Sequence, residues 1–230
     1  MFAGGVPLTL KVSQRARVMR LRVDPRTGAV LLTVPKRVSR RRALDWAAGQ
    51  RDWVEAALAD VPAGVAIAPG SEVPLYGTPH RIDWEPRRPR RIEVADGVLI
   101  AGGPAEGLEV RILRWLKRHA RELLDGETRF YAERAGRRVA RVAVGDPLSR
   151  WASCSSSRTI RYSWRLVLAP EWVRRATVAH EVAHLVHMNH GPEFHALVEA
   201  LLGEDPKPAR LWLRRNGSGL HRIGRHAPPG

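Results

Sequence analysis

HEVAHLVHMNH, at residues 180–190, is the stretch from which both the fold and the chemistry of this chain can be inferred. His180 and His184 are four residues apart, so in a helix their imidazoles lie on one face, one turn apart. Glu181 lies one position round the helix from His180. Two neutral imidazoles beside a carboxylate are the groups that hold a zinc ion and act as its general base. The stretch therefore predicts a helix that binds zinc.

A catalytic zinc ion needs a third protein ligand, and three further histidines follow: His187, His190 and His195. His187 shares the helical face of the first two. At a rise of about 1.5 Å per residue, however, it lies roughly 7.5 Å along the axis from their midpoint, so one straight helix cannot bring all three rings together. His195 follows a proline at the start of another predicted helix and remains a further candidate.

His190 escapes this limit because the residues around it stop a helix. Asn189 and the pair Gly191-Pro192 allow the chain to turn and to bring the His190 imidazole back toward the metal. HExxH can also arise by chance on a buried amphipathic helix, but the third histidine and the stop beside it favour the metal site. We therefore predict one zinc ion per chain, with His180, His184 and His190 as its ligands.

A second motif lies upstream, RWASCSSSRTIRYSWRLVLAP at residues 150–170. Together with HExxHxxxxxH it resembles the YgjP-like family of predicted zinc metallopeptidases, which is related in motif to the WLM and SprT-like groups. The likeness extends from about Ser13 to Leu213, although Ala152 stands where the family usually has glycine and His195 where it commonly has an aromatic residue. The resemblance implies an α+β fold, with a zincin-like metallopeptidase catalytic lobe preceded by a small β-rich amino-terminal lobe.

Turn-forming residues predict where these lobes meet. Gly102-Gly103-Pro104 marks the expected boundary between an amino-terminal β-rich lobe with one helix, 1–104, and a zincin-like catalytic lobe with a basic carboxy-terminal tail, 105–230. In the first lobe the patterns predict strands at 8–12, 16–23, 29–34, 73–76, 81–84, 91–94 and 98–101, and a helix at 39–59 with Trp46 and Trp53 in the core.

The same patterns give the elements of the second lobe. They predict a long helix at 108–124 with a second stretch at 128–136, strands at 139–144 and 159–168, the metal helix from Pro170, and helices at 192–202 and 209–215. By analogy with zincins, the strand at 159–168 is expected to be the edge to which an extended substrate adds. The residues after 216 are expected to form a mobile basic tail.

The composition limits the class of protein. At 230 residues the chain is long enough for one large domain or two small lobes with an ample core. Its single cysteine, Cys154, cannot form an internal disulfide, which is typical of a reducing compartment and excludes a second, cysteine-based zinc site. No stretch has the pattern of a secretory leader, and no apolar run reaches the roughly 18 residues of a membrane helix. We therefore expect a cytoplasmic protein with no membrane partner.

The formal net charge of +16 and the isoelectric point near 11.4 favour contact with nucleic acid, since clustered cations release counterions from phosphate backbones. Nearly all the basic residues are arginines spread through every segment, however, so an arginine-rich composition also explains the charge. Clusters occur at 87–91 and 214–225. The expected partner is a peptide or protein substrate, and nucleic acid remains a second hypothesis.

The predicted reaction is zinc-dependent hydrolysis of a peptide bond. The zinc ion lowers the pKa of its bound water toward about 7, and Glu181 accepts the proton as the water attacks. An alternative is hydrolysis of another bond, such as a nucleotide phosphoanhydride, although the sequence has no Gly-rich phosphate loop and no carboxylate cluster for magnesium. A third hypothesis is a DNA-associated protein of the WLM or SprT-like type.

Several supporting roles stay open at this point. Candidates to stabilise the oxyanion are Tyr162, Asn189, His187 and nearby arginines. Glu193 and Glu199 are candidates to accept the second ring proton of a ligand, although each is individually more typical of a solvated surface. Cys154 could be a nucleophile or a metal ligand, but the histidine set is complete without it and serines lie on both sides, so a structural or loop role is expected.

Overall fold

The computed structural model describes residues 2, 5–24, 28–59 and 64–224. Within these residues, six α-helices and three small mixed sheets confirm the α+β class. The chain divides into two compact units, Met1–Ala66 with His221–Gly230, and Ile67–Leu220. The expected boundary at residue 104 lies inside the second unit; whether 1–104 and 105–230 behave as separate lobes stays a prediction. None of the described helices is both long enough and apolar enough to cross a membrane.

The first unit is a three-stranded sheet with two helices. Its elements are β1 (Leu8–Ser13), β2 (Arg20–Val23), β3 (Val30–Pro35), α1 (Arg40–Ala48) and α2 (Arg51–Ala59). The strand order is β1-β3-β2, with β1 parallel and β2 antiparallel to β3. Val30, Leu32 and Val34 alternate along β3 and are all buried, as the period of two in a strand requires.

The single helix predicted at 39–59 is wrong, because the chain breaks at Gly49 and continues as a second helix. Ser39 caps α1 as its side chain accepts a hydrogen bond from the Arg42 N–H. Since α1 and α2 do not form one continuous helix, a seven-residue spacing does not keep both tryptophans on one face. Trp46 is half-buried, whereas Trp53 is 50% exposed, so its predicted place in the core is also wrong.

The second unit begins with a four-stranded sheet. It contains β4 (Glu72–Leu75), β5 (Thr78–Glu85), β6 (Glu93–Ala95) and β7 (Val98–Gly102), in the order β4-β5-β7-β6. The tight turn after β4 binds the segment that leads to the metal helix: the N–H groups of Tyr76 and Gly77 donate to the carbonyls of Val167 and Leu168. Gly77 has φ +84°, and a Cβ there would lie 2.7 Å from Pro170, so glycine is required at this contact.

The rest of the second unit contains the candidate metal centre. Its elements are α3 (Leu108–Arg134), β8 (Arg141–Gly145), β9 (Ala152–Cys154), β10 (Thr159–Ser163), a 3-10 helix (Trp164–Leu168), α4 (Glu171–Ala183), α5 (Pro192–Leu202) and α6 (Lys207–Leu220). The α3 helix runs through Gly126 without the interruption predicted there. The predicted α5 helix is confirmed.

The predicted edge strand at 159–168 is wrong in length and in position. Strand β10 ends at Ser163 and lies in the centre of the sheet order β8-β10-β9. Residues 152–154, for which no strand was predicted, pair antiparallel with β10 as β9. The free edge of this sheet beside the metal helix is therefore β9, which contacts α4.

The helix α6 extends five residues beyond the predicted end at 215, so the expected tail is largely ordered; residues 225–230 lie outside the described residues. The reason is a close contact at Gly217, where a Cβ would lie only 2.5 Å from the Trp151 ring. The absence of a side chain allows the helix to pack against this ring.

We expect Gly217→Ala to lower the free energy of unfolding by about 1–3 kcal/mol, because the tryptophan ring must move to admit the methyl group. This loss outweighs the helix propensity of alanine, which favours it over glycine by roughly 1 kcal/mol. Gly219→Ala is the matched control, since nothing lies within 4 Å of a Cβ at that position of the same helix. Urea unfolding measures both; equal stability of the two variants would contradict the proposed contact.

Candidate metal centre

Three histidine side chains converge at the carboxyl end of α4. The ligand nitrogens of His180, His184 and His190 all lie within 4.8 Å of one another. The Nε2 atoms of His180 and His190 are 3.3 Å apart. In a tetrahedral site with Zn–N bonds of about 2.0–2.1 Å, two imidazole nitrogens are separated by about 3.3 Å. The His180–His190 pair therefore has the separation of two ligands of one tetrahedral ion, while the ligand role of each residue stays a prediction.

The metal helix ends earlier than expected. Helix α4 stops at Ala183 with His184 as its cap, six residues before Asn189. The N–H groups of Leu185 and Val186 bond to carbonyls three residues back, which tightens the last turn. The chain can then reverse over a longer loop, and this loop brings His190 back to the two helical histidines.

His187 supports the site through its backbone. Its carbonyl accepts a hydrogen bond from Nδ1 of His184 at 3.1 Å. This bond places the His184 ring proton on Nδ1 and leaves the Nε2 lone pair available to a metal. For His184, the backbone thus fills the role for which Glu193 and Glu199 were candidates. Glu193 instead lies 3.6 Å from Nδ1 of His187 and is exposed.

Burial keeps the helical histidines neutral. The pKa of His180 falls to about 4, first because the ring is buried and then because His184, His190 and Arg210 are close. The pKa of His184 is also lowered, mainly by burial. Neutral imidazole is the form that binds a metal, so these two rings are ready to coordinate at neutral pH.

Glu181 is buried beside the histidines, with only 6% of its surface exposed. Burial raises the pKa of its carboxyl to about 7, while the Arg150 charge and a hydrogen bond from the Cys154 N–H act in the opposite direction. Its Oε2 atom is buried and has no hydrogen-bond partner in the described part of the chain. A buried carboxylate oxygen without a partner is costly, which suggests that its partner is a molecule bound during function.

Comparison with known families agrees with this geometry. The model of the YgjP-like family, described as a metallopeptidase domain, matches residues 17–216. The chain belongs to the YgjP-like family. No curated protein and no solved structure matches the chain. Membership confirms the resemblance carried by the two sequence motifs, and it indicates a hydrolase of the metallopeptidase class that uses a metal.

In this YgjP-like domain, the surroundings of Tyr162 and Cys154 restrict the catalytic roles of these two residues. The buried Tyr162 hydroxyl lies 3.0 Å from that of Thr128, which donates its own proton to the Leu124 carbonyl. Tyr162 therefore donates to Thr128, and its proton is not available to an oxyanion. Burial, followed by the Glu181 charge, raises the pKa of the Cys154 thiol to about 11, so it is not a thiolate nucleophile at neutral pH.

The sequence did not predict the residues that hold the YgjP-like site in place. Phe194 is fully buried, and its ring centroid lies 4.6–4.9 Å from the centroids of all three histidine rings. Arg174, 3% exposed, donates to both carboxylate oxygens of Glu127 and so fixes α4 to α3. The local sequence around Arg174 gives no sign of its pairing with Glu127, because Glu127 lies 47 residues earlier in the chain.

Proposed function

We propose that this YgjP-like domain is a zinc-dependent peptidase, with His180, His184 and His190 as ligands and Glu181 as general base. The observation that carries the proposal is the unpartnered Oε2 atom of Glu181, buried next to three converging imidazoles. These three imidazoles would hold the zinc ion, which would supply a water of lowered pKa and polarise a carbonyl group.

In this proposal Glu181 moves the proton. With a pKa near 7, its carboxylate is a strong enough base to accept a proton at Oε2 and a strong enough acid to release it to the leaving amine. The Cys154 N–H holds the carboxylate in place by a hydrogen bond. Arg150, Asn189 and His187 remain the candidates to donate to the oxyanion, since the Tyr162 proton is already engaged.

Strand β9 is the proposed binding edge for the substrate. It lies at the edge of its sheet and contacts the metal helix. An extended peptide that pairs with β9 would run alongside Glu181, since Cys154 belongs to this strand. Main-chain hydrogen bonds of this kind bind peptides of varied sequence, which leaves selectivity to side-chain pockets.

Metal removal tests the proposal. Cleavage of a casein-derived peptide mixture should stop when the protein is treated with a chelator and return when zinc is added back. Cleavage that continues undiminished in a zinc-free chelated sample would contradict it.

A basic groove supports the second hypothesis, contact with nucleic acid. The groove has a volume of about 530 Å³, and Lys117, Arg118, Arg121 and Arg141 line it. Its one lining carboxylate, Asp146, is paired with Arg165 at 2.7 Å. The remaining positive charge suits a phosphate backbone.

We expect the double variant Arg118→Glu with Arg121→Glu to weaken duplex DNA binding and to reduce the slope of log K against log salt by roughly 1.8, the value for two lost phosphate contacts. Arg114→Glu with Arg134→Glu is the matched control, because it changes the same charge at exposed positions of the same helix outside the groove. Fluorescence anisotropy at several salt concentrations measures the slope. Equal slopes for the two double variants would show that only the net charge matters.

A further inference from the structure

We propose that a pocket beside the metal centre binds a large apolar side chain of the substrate, and that Arg210 on its rim selects a negative charge on the adjoining part of that substrate. The inference rests on the proposed peptidase function and adds a substrate class to it.

The pocket adjoins the reacting groups. His180 and Glu181 form part of its lining, so a side chain bound there belongs to a substrate residue close to the cleaved bond. Trp151 forms another part of the wall, and the contact between this ring and Gly217 of α6 holds that wall in place. The pocket is therefore built by packing within the Ile67–Leu220 unit.

Its size and lining suit an apolar group. The volume is about 180 Å³, and Ala176, Val198, Ala209 and Leu213 contribute apolar surface. A dry apolar cavity of about 150 Å³ is large enough to bind benzene. A phenyl ring or a branched aliphatic chain therefore matches the apolar part of this pocket.

The rim carries a cation. Arg210 is exposed, and it lines both this pocket and the neighbouring surface groove that contains Lys207 and Arg214. Among the described residues, no ion pair joins the Arg210 guanidinium to a carboxylate; Asp205 in the same groove is paired instead with Lys207, at 4.0 Å. Glu181 is the one carboxylate that lines the pocket, and it acts as the base. A substrate carboxylate near Arg210 is thus favoured over an ammonium group.

Binding of small probes to the full zinc-loaded chain tests the pocket without any cleavage. Phenylbutyrate and butyrate share a carboxylate, so any contribution of a carboxylate–metal contact cancels in the ratio of their dissociation constants. We expect phenylbutyrate to bind at least about tenfold more tightly, because its ring leaves water. The Ala209→Leu variant should lose most of this preference for phenylbutyrate over butyrate. The Ala200→Leu variant, changed at an exposed position of α5, should keep the preference.

A second variant covers the case in which Ala209→Leu does not fold. Leu213→Ala enlarges the pocket at a half-buried position and should shift the preference from phenylbutyrate toward naphthylbutyrate. Equal affinity of the wild-type chain for phenylbutyrate and butyrate would overturn the apolar part of the proposal.

The charge preference is tested by exchange of the probe charge. Arg210→Glu should shift the affinity ratio of phenylbutyrate to phenylbutylamine by roughly fivefold or more toward the amine, the scale of exposed ion pairs. Arg214→Glu, one turn further along α6 and outside the pocket, is the control and should leave the ratio nearly unchanged. Equal shifts in the two variants would overturn the role of Arg210.

These readouts are separate from the proposed function. Ring-dependent binding without peptide cleavage would support the pocket and count against the peptidase. Cleavage without ring-dependent binding would support the peptidase and overturn the pocket.

Discussion

Glu181→Gln should lower peptide hydrolysis by at least about 100-fold, the scale of general-base catalysis, and leave the metal content near that of the wild type. Glutamine keeps the size of the side chain and can still bond to the Cys154 N–H, but it cannot accept a proton. The Oε2 atom, buried without a partner in the described chain, is the position where this difference acts. Peptide cleavage rates measure the activity, and elemental analysis measures the metal content.

The matched control for this variant is Glu193→Gln. Glu193 also lies near the metal loop, but it is exposed and contacts His187 rather than a predicted ligand. We expect its activity to stay within about twofold of the wild type. Loss of metal and of folded structure in Glu181→Gln would instead make this carboxylate a ligand or an anchor, and the centre a structural one.

His190→Ala should weaken zinc binding by roughly a hundredfold or more. Structural zinc sites with four protein ligands bind with about 10–16 kcal/mol, so one ligand contributes roughly 3 kcal/mol, or about two orders of magnitude in affinity. The His190 Nε2 atom lies 3.3 Å from that of His180, the separation expected for two ligands of one tetrahedral ion. Competition with a chromogenic chelator measures the affinity.

His187→Ala is the control for that measurement, since its contribution to the site is a carbonyl that alanine retains. We expect the zinc affinity of this variant to change by less than about fivefold, because the bond from His184 Nδ1 persists. A larger loss in His187→Ala than in His190→Ala would assign the third ligand to His187 and contradict the geometry of the loop.

Local sequence signals predicted the parts of the site that depend on helix geometry. The four-residue spacing of His180 and His184 fixes their relative positions once the helix forms, so the structure brings them together as expected. The return of His190 was also anticipated, but the end of α4 was placed too late. Between His184 and Asn189 the sequence has no glycine or proline, and the early stop arises from bonds made in the last turn.

Contacts between distant residues account for most of the errors. Strand β9 has three residues and no alternating pattern, so only its pairing with β10 identifies it. The residues after 216 were expected to form a tail, yet Gly217 stays helical because it packs against Trp151. Phe194, which supports all three histidine rings, gave no signal beyond its hydrophobicity.

The central claim is that one metal site hydrolyses peptide bonds through Glu181. Mass spectrometry of a mixed peptide and nucleotide pool, incubated with zinc-loaded wild type or Glu181→Gln, tests it most directly. We predict new peptide termini with the wild type alone and intact nucleotides in both samples. Nucleotide hydrolysis by the wild type with all peptides intact, or equal peptide cleavage by the two proteins, would contradict the claim.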